Sequence, residues 1–293
     1  MLNRKVDDFF ERVPFLKRAG QTVARSIHNE VLDGGEPVRN AMDLLHGTWL
    51  GHPLHPVLTD VVVGSLAMGA LFDFASKLGG GRTAEQAADA LTVIGTAAGI
   101  PTAISGLADF SAIPRPAAGH GLVHALANET AILIYLLSLR ARKQGRRGKG
   151  IALSTLGMAV LAAGAYLGGH LVFGKRVGVN HTQRVTDPAG WVGVINERDL
   201  INHEPARVEV AGNRVLLYRK GEMVHAVGAT CPHNGGPLEE GTFYGNCVQC
   251  PWHDSVFNME DGSVVHGPST YPLPAYEARI RDGRVEVRME QPA

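Results

Sequence analysis

The sequence predicts an α+β multidomain protein in which a four-helix transmembrane bundle is followed by a small all-β domain. The bundle is predicted because residues 54–173 are mostly Ala, Gly, Leu and Val, with basic residues confined to short gaps. The β domain is predicted because short β-type runs alternate with turn residues after residue 190. All three cysteines lie between positions 231 and 250, which indicates metal chemistry rather than a disulfide framework.

Residues 1–50 are predicted to form an amphipathic N-terminal helical region. Apolar residues such as Phe9, Leu16 and Val23 recur at helical spacing. Pro14 is expected to start or kink a helix. We interpret the region as surface helices packed on the domain that follows.

The predicted membrane domain, residues 51–173, contains four apolar segments of about the length needed to cross a hydrocarbon core. These segments are residues 56–76, 88–108, 120–139 and 151–173. The alternative is a soluble helical bundle rich in Ala and Gly. The tight basic gaps favour the membrane, and so do rows of small residues that suit close helix packing in lipid. One such row is Gly157, Ala162, Gly164 and Gly168.

Residues 174–189 are polar and predicted to be a linker, and residues 190–293 are predicted to form the β domain. Three dipeptides have the composition of hairpin turns: Gly212-Asn213, Lys220-Gly221 and Asp282-Gly283. The runs predicted to be strands are 191–195, 207–210, 215–218, 224–227, 278–280 and 285–288.

Two short motifs carry the chemistry of the β domain. They are Cys231-Pro-His233 and Cys250-Pro-Trp-His253. A pair of thiolates can hold one iron and a pair of imidazoles another, as in a [2Fe–2S] cluster with mixed ligands. Two cysteines and two histidines could instead hold zinc, but this spacing is not usual for zinc. Gly267-Pro268 belongs to a rigid third loop that could cover the cluster.

Residues from about 191 to 288 resemble a Rieske domain of the ferredoxin type. The matching segments are Cys-Pro-His-Asn-Gly-Gly-Pro-Leu at 231–238, Cys-Pro-Trp-His-Asp-Ser at 250–255 and Gly-Pro-Ser-Thr-Tyr-Pro-Leu-Pro at 267–274. The resemblance implies a β-sandwich with the two histidine ligands at an exposed tip. Rieske proteins of cytochrome bc complexes have an extra cysteine in each loop, where this chain has Gly236 and Trp252. We expect Cys247 to be a buried strand residue rather than a ligand.

Ser255 and Pro268 are candidates for tuning the cluster. The Ser255 hydroxyl could donate a hydrogen bond to a cluster sulfide and raise the potential. Phe257 stands where the bc-type proteins have a tyrosine that supplies a second such bond. We therefore expect a potential in the lower part of the Rieske range, roughly −150 to +300 mV.

Histidines are placed so that they would converge on one face of the membrane. His52 and His55 precede the first segment, His120 and His124 open the third, and His170 ends the fourth, with His181 after it. Two acidic residues, Asp60 and Asp109, accompany them. These residues could bind a b-type haem or another metal, or form a quinone pocket with a proton relay. Alternatively, they are interfacial histidines near lipid headgroups.

The motif Gly51-His-Pro-Leu-His-Pro56 resembles an uncharacterised family of bacterial four-helix membrane domains, over residues 45–173. With four spans, the β domain would lie on the same side of the membrane as the histidine face. The basic segment 140–149 is expected to stay in the cytoplasm. A multi-pass protein of the bacterial plasma membrane with its Rieske domain on the outer face would result. A disulfide-free cluster and a basic N-terminal region favour the cytoplasmic face instead.

These features predict a membrane-anchored Rieske iron–sulfur protein. It would transfer single electrons between a membrane redox partner, a quinol or a haem, and a partner protein. The alternatives are an oxidoreductase subunit with its own quinol or haem site at the histidines, and a redox sensor. An oxygenase is disfavoured because no further domain remains for a mononuclear iron. The formal net charge of zero gives no indication of a nucleic-acid partner.

Overall fold

The computed structural model describes residues 2–182 and 190–289, so part of the predicted linker lies outside the described residues. The chain divides into two compact units. Residues up to Gly35 and Pro53–Val177 form the helical unit, and Glu36–His52 and the residues from Gly178 form the β unit. The predicted N-terminal region is therefore shared between the two units.

The described part of the helical unit is built from α-helices joined by short turns. The helices are α1 Leu2–Arg12, α2 Pro14–Asp33, α4 Leu54–Ala75, α5 Gly81–Ser111, α6 Ala118–Lys143 and α7 Arg147–Gly169. The remaining helix, α3 Gly35–His46, begins at the boundary between the units and packs in the β unit. Pro14 occupies the first turn of α2, where its missing N–H costs nothing. One turn of π-helix, His170–Gly174, extends α7.

Helices α4 and α5 form one antiparallel hairpin, and α6 and α7 form another. Gly69 lies against Thr92 in the first hairpin. In the second, Gly157 lies against Tyr135 and Gly168 against His124. Three of the four small residues predicted to favour close helix packing, Gly157, Gly164 and Gly168, line the α6–α7 contact, where a missing side chain leaves room for the partner helix, whereas Ala162 is exposed.

Three helical segments are long and apolar enough to cross a membrane: Leu54–Ser111, Arg115–Lys143 and Arg147–Gly174. This number differs from the four segments predicted. The reason is that α4 and α5 run into each other through the π-helical turn Ser76–Gly80. Leu78 and Gly79 leave the helical conformation in that turn, with Gly79 at φ 103°, and the chain reverses there.

A buried cluster of ionic side chains joins one end of all four long helices. Arg142 of α6, whose side chain is 4% exposed, donates to Asp73 of α4 at 2.9 Å and to Asp89 of α5 at 2.7 Å. Arg147 of α7 binds the same two carboxylates at 3.0 Å. Two positive and two negative charges thus compensate each other, with Arg142 and Asp73 buried and Asp89 42% exposed. Removing Arg142 would leave the buried Asp73 with Arg147.

We predict that Arg142→Met lowers the free energy of unfolding by about 3 kcal/mol, because Asp73 keeps its charge inside the bundle and loses its main partner. Arg147 still pairs with Asp73, which limits the loss of stability. Thermal unfolding in detergent measures the effect. Arg140→Met, on an exposed position of the same helix, is the control. If Arg142→Met and Arg140→Met are equally stable, Arg142 does not stabilise the bundle through Asp73.

The β unit contains two antiparallel sheets. The larger has the strand order β1-β10-β9-β4-β3-β2 and the smaller β5-β6-β7-β8. The strands are β1 Val192–Asn196, β2 Pro205–Val210, β3 Asn213–Lys220, β4 Met223–Gly228, β5 Thr242–Tyr244, β6 Cys247–Gln249, β7 Val256–Asn258, β8 Val264–His266, β9 Ala275–Arg281 and β10 Arg284–Met289. All six predicted strands lie in the larger sheet. The four strands of the smaller sheet were not predicted.

The core of the β unit is divided by the larger sheet. Leu216 and Val227 face Val248 and Phe257 of the smaller sheet in one cluster of buried side chains. Val215 and Leu217, the neighbours of Leu216 in β3, lie on the other face of the sheet. They belong to a second cluster of buried side chains with Val285 and Val287 of β10. The smaller sheet is therefore held against the larger one by apolar burial, and its loops project from the edge of that core.

Candidate metal centre

Three loops that begin or end at the smaller sheet carry the predicted metal site. The first, 229–237, connects β4 to β5 and contains Cys231 and His233. The second, 250–255, joins β6 to β7 and contains Cys250 and His253. The third, 267–274, follows β8. The short strands β6, β7 and β8 thus fix the starting points of the second and third loops.

The first loop is closed by two backbone hydrogen bonds. Cys231 donates its N–H to the carbonyl of Gly236 at 2.9 Å and accepts from the N–H of Gly235 at 2.9 Å. Gly235 has φ of 80°, in the left-handed region that glycine enters without strain. The chain therefore turns back within five residues and presents His233 from its tip.

The second loop repeats the same closure at the same spacing. Cys250 donates its N–H to the carbonyl of Ser255 at 2.8 Å and accepts from Asp254 at 3.2 Å. Asp254 has φ of 63°, the left-handed conformation that Gly235 has in the first loop. Asp254 also accepts a hydrogen bond from the side chain of Gln249, which stabilises an otherwise unfavourable backbone.

The loops bring two thiols and two imidazoles together. Cys231 and Cys250 are 1% and 2% exposed and are not joined in a disulfide. A hydrogen bond between the two thiols lowers the pKa of Cys250 to about 7 and, with burial, raises that of Cys231. The half-buried rings of His233 and His253 are 4.9 Å apart between centroids and nearly perpendicular, at 85°.

This donor set fits an iron–sulfur cluster with one iron on the buried sulfurs and the other on the imidazoles nearer the solvent. Gly236 provides the space. A Cβ atom at this position would lie 2.8 Å from Sγ of Cys250 and 3.3 Å from the ring of Trp252. Any larger residue would therefore push the thiolate away from the place where iron would bind.

The third loop supports the second loop through Ser255. The Ser255 side chain is fully buried, and its Oγ accepts the N–H of Ser269 at 3.0 Å. Since that oxygen already accepts, the hydroxyl proton is available to donate to a cluster sulfide. Pro268 lies directly before Ser269, and its peptide bond with Gly267 is cis. Cys247 opens β6, is half-buried, and is not part of this group.

Sequence reasoning missed a second support of the third loop. Asp43 of α3 accepts the N–H of Gly267 at 2.7 Å, and its other oxygen lies 2.8 Å from Nδ1 of His266. Nε2 of His266 lies 3.3 Å from the carboxylate of Glu36. The contact joins residues 224 positions apart, so no local pattern indicates it. Helix α3 thereby becomes part of the structure around the cluster loops.

Comparison with known proteins decides the family. Residues 190–277 match the model of the Rieske [2Fe-2S] domain. Ferredoxin CarAc of Metapseudomonas resinovorans is 33% identical over 102 residues, which are 34% of this chain and 95% of that protein. The chain belongs to the Rieske family. Residues 51–181 match a second family, described as a predicted membrane protein, DUF2231.

Other matches also cover about a third of this chain. The ferredoxin subunit of anthranilate 1,2-dioxygenase from Burkholderia cepacia is 35% identical over 104 residues, 34% of this chain and 94% of that subunit. Apoptosis-inducing factor 3 of Mus musculus is 33% identical over 100 residues, and the chain spans only 16% of its length. The ferredoxin of carbazole 1,9a-dioxygenase from Nocardioides aromaticivorans has a solved structure with 25% identity and a TM-score of 0.33, covering 34% of this chain and 98% of the ferredoxin.

Two of the predicted membrane-domain histidines meet between the hairpins. Nδ1 of His55 lies 2.9 Å from the carbonyl oxygen of Thr102, and Nδ1 of His124 lies 2.8 Å from that of Gly164. A carbonyl can only accept, so Nδ1–H is the donor in each contact. The side-chain amide nitrogen of Asn128 lies 3.4 Å from Nε2 of His124. The two rings are 6.3 Å apart between centroids.

His120 and His170 form a second pair at the same end of the bundle, with ring centroids 5.4 Å apart. Both contact Asp7 of α1, a residue that sequence reasoning did not identify. Burial alone would raise the pKa of Asp7, but hydrogen bonds from Lys175 and His170 lower it to about 2. The carboxylate is therefore ionised at neutral pH.

Two of the six histidines predicted to converge lie outside the helical unit. His52 and His181 belong to the β unit. The backbone N–H of His181 donates to the carbonyl of Pro232 at 2.9 Å, so this histidine lies beside the first cluster loop. Asp60 is on an exposed position of α4, and Asp109 is half-buried near the end of α5.

We predict that Ser255→Ala lowers the midpoint potential of the cluster while leaving it assembled. The lost hydroxyl can no longer stabilise the sulfide charge that grows on reduction. The buried N–H of Ser269 also loses its acceptor, at a cost of about 1–3 kcal/mol in stability. A redox titration followed by EPR measures the potential. Ser263→Ala, which contacts Asp261, is the control, and an unchanged potential in Ser255→Ala would show that the hydroxyl points away from the cluster.

We predict that Asp43→Asn raises the midpoint potential by roughly tens of millivolts, because a negative charge near the third loop disfavours reduction. An asparagine oxygen can still accept the N–H of Gly267, so the loop stays in place. The same titration checks this, with Asp282→Asn in the exposed β9–β10 turn as the control for removal of a charge elsewhere. Equal potentials in the two variants would contradict the prediction.

Proposed function

We propose that the protein is a membrane-anchored Rieske iron–sulfur protein that transfers one electron at a time between a quinol or haem partner in the membrane and a partner protein. Cys231, His233, Cys250 and His253 hold the cluster in this proposal. The observation that carries it is the arrangement of the four side chains, with both thiols buried and both imidazoles reaching toward the surface.

The imidazole pair provides the route for electrons. Neutral imidazoles donate less charge to iron than thiolates, so the outer iron is the one that accepts an electron. His233 and His253 are half-buried, which places their ring edges within reach of a docked redox protein. The Burkholderia cepacia relative is the ferredoxin subunit of anthranilate 1,2-dioxygenase, which supports a soluble or peripheral redox protein as the partner on this side.

The character of the helix surfaces supports the membrane anchor. Large apolar side chains are exposed on the outside of the long helices, among them Leu71, Leu107, Leu133 and Leu156. Small polar side chains, Thr92, Thr96, Ser105 and Ser138, are buried between the helices. Exposed leucine outside and hydroxyl groups inside are the arrangement expected where the solvent is lipid.

We infer four crossings, although α4 and α5 form a single apolar segment. The long helices have 22, 31, 26 and 23 residues, and about 20 residues span a hydrocarbon core. The α4–α5 and α6–α7 hairpins then put the basic segment 140–149 on one side of the bilayer. Basic segments stay in the cytoplasm, so the chain leaves α7 on the outer face, where we propose that the Rieske domain lies.

The His55–His124 pair supports the membrane partner. Each ring donates Nδ1–H to a backbone carbonyl, an orientation typical of histidines that use Nε2 to bind a metal or to accept a hydrogen bond. A quinol hydroxyl or a haem iron would use these nitrogens. The same geometry favours, as the second candidate, an oxidoreductase subunit that oxidises a quinol at its own site.

The test begins with an EPR spectrum of the reduced protein purified from membranes. We expect a rhombic Rieske signal, and we expect His233→Cys to change its g-values and lower the potential, since a thiolate replaces a neutral imidazole. A protein that holds only zinc would contradict the cluster assignment. Release from membranes by high salt without detergent would contradict the anchor.

Reduction of the cluster by a short-chain quinol in proteoliposomes tests the membrane partner. His55→Ala and His124→Ala should slow this reduction, while dithionite should still reduce the cluster. His28→Ala on α2 is the matched histidine control. Unchanged rates in both variants would contradict a quinol site at this pair, and the optical spectrum of the same sample reports whether haem is bound.

A further inference from the structure

The end of the helical unit that carries the histidines contains a compact group of metal-binding side chains. Asp7 comes from α1, His120 from the first turn of α6 and His170 from the π-helical turn after α7. One possible ligand atom from each residue lies within 4.8 Å of the other two. Three separate elements therefore contribute side chains to one site, and neither family match assigns a ligand there.

The distances within the group suit a small cation. Nε2 of His120 lies 3.2 Å from Oδ1 of Asp7, and Nε2 of His170 lies 3.0 Å from the same oxygen. Ligand atoms at zinc-like bond lengths of about 2.0–2.1 Å in a tetrahedron are separated by about 3.3 Å. The two nitrogens and the oxygen could reach such an ion with small shifts of side chains.

The group is held in place from several directions. The side chains of His120 and His170 are 5% and 8% exposed. The ring of Phe10, also on α1, lies against His120 with centroids 3.8 Å apart. Nδ1 of His120 is buried and has no hydrogen-bond partner among the described residues, so Nε2 is the nitrogen of this ring that meets a polar group.

We propose that Asp7, His120 and His170 bind one divalent transition-metal ion. Two imidazoles and one carboxylate are the donor set of mononuclear non-haem iron sites and of some zinc sites, both of which keep a further position open. The carboxylate supplies the negative charge and the neutral imidazoles the softer ligands. All three residues belong to the helical unit, so the site does not depend on the cluster or on the direction of electron flow.

Lys175 controls access to this site. Its Nζ lies 2.6 Å from Oδ1 of Asp7, the same oxygen that faces both histidines. Without a metal, the ammonium group neutralises the carboxylate. A divalent ion at the same oxygen repels the ammonium and displaces it, which the flexible side chain of lysine permits. Metal ion and ammonium group therefore compete for one carboxylate.

The competing explanation is a structural ion pair, in which Lys175 and Asp7 fasten α1 to the end of α7 and the histidines only donate hydrogen bonds. The two explanations differ in what the lysine does. A structural pair is weakened when Lys175 is removed, and nothing takes its place. A metal site is strengthened, because the carboxylate becomes free for the ion and a positive charge is removed from its surroundings.

The experiment titrates Zn2+, a redox-inert probe, into the full chain in detergent with the cluster assembled, using calorimetry and elemental analysis after dialysis. We expect one zinc ion per chain in addition to the cluster irons. Lys175→Met should bind it at least about tenfold more tightly, and Asp7→Asn and His170→Gln at least about tenfold more weakly. The controls are Asp8→Asn and Lys5→Met, at exposed positions of α1.

The cluster EPR signal and the thermal unfolding temperature are recorded for every sample. The unfolding temperature should rise when zinc is added to the wild type and to Lys175→Met. The proposal is overturned if Lys175→Met binds zinc no more tightly than the wild type, or if stoichiometric zinc survives both Asp7→Asn and His170→Gln. If Asp7→Asn or His170→Gln fails to fold, the zinc affinities of Lys175→Met and Lys5→Met still distinguish a metal site from a structural ion pair.

Discussion

The two cluster loops depend on one repeated constraint. Each cysteine donates its N–H to the carbonyl five residues later and accepts from the N–H four residues later. This closure forces the fourth residue after each cysteine into the left-handed region, and the chain uses Gly235 at one and Asp254 at the other. The fifth residues, Gly236 and Ser255, supply the accepting carbonyls of the closure. Gly236 leaves space beside Sγ of Cys250, and Oγ of Ser255 accepts the N–H of Ser269.

The sequence predicts much of the β unit because the relevant signals are local. The Cys-x-His and Cys-x-x-His motifs identify the four donors, and turn residues such as Asp282-Gly283 locate the hairpins of the larger sheet. The smaller sheet is built from strands of three residues, which are too short to show alternation of apolar and polar positions. They could be predicted only through the resemblance to a Rieske β-sandwich, although they set the positions of the ligand loops.

The contacts that sequence reasoning missed are those between distant residues. Asp43 contacts the third loop although they are more than two hundred residues apart in the sequence, and Asp7 contacts His120 although 113 residues separate them. Both aspartates lie on amphipathic helices, where a charged residue is ordinarily on the solvated face. A single aspartate in such a helix carries no signal about its partner. Interpreting residues 1–50 as surface helices was reasonable on pattern alone, and only the tertiary structure shows that they reach the cluster loops and the histidines.

The two ends of the helical bundle differ in how their charges are balanced. At one end, Arg142 and Arg147 face Asp73 and Asp89, and a guanidinium group stays protonated throughout the physiological range. Arg142 and Asp73 are both buried at that end and compensate each other in charge. At the other end, Asp7 and the ammonium group of Lys175 lie beside the imidazoles of His120 and His170, a residue type that can bind a metal. We therefore expect a reaction that moves electrons, protons or ions to use the groups of the histidine end.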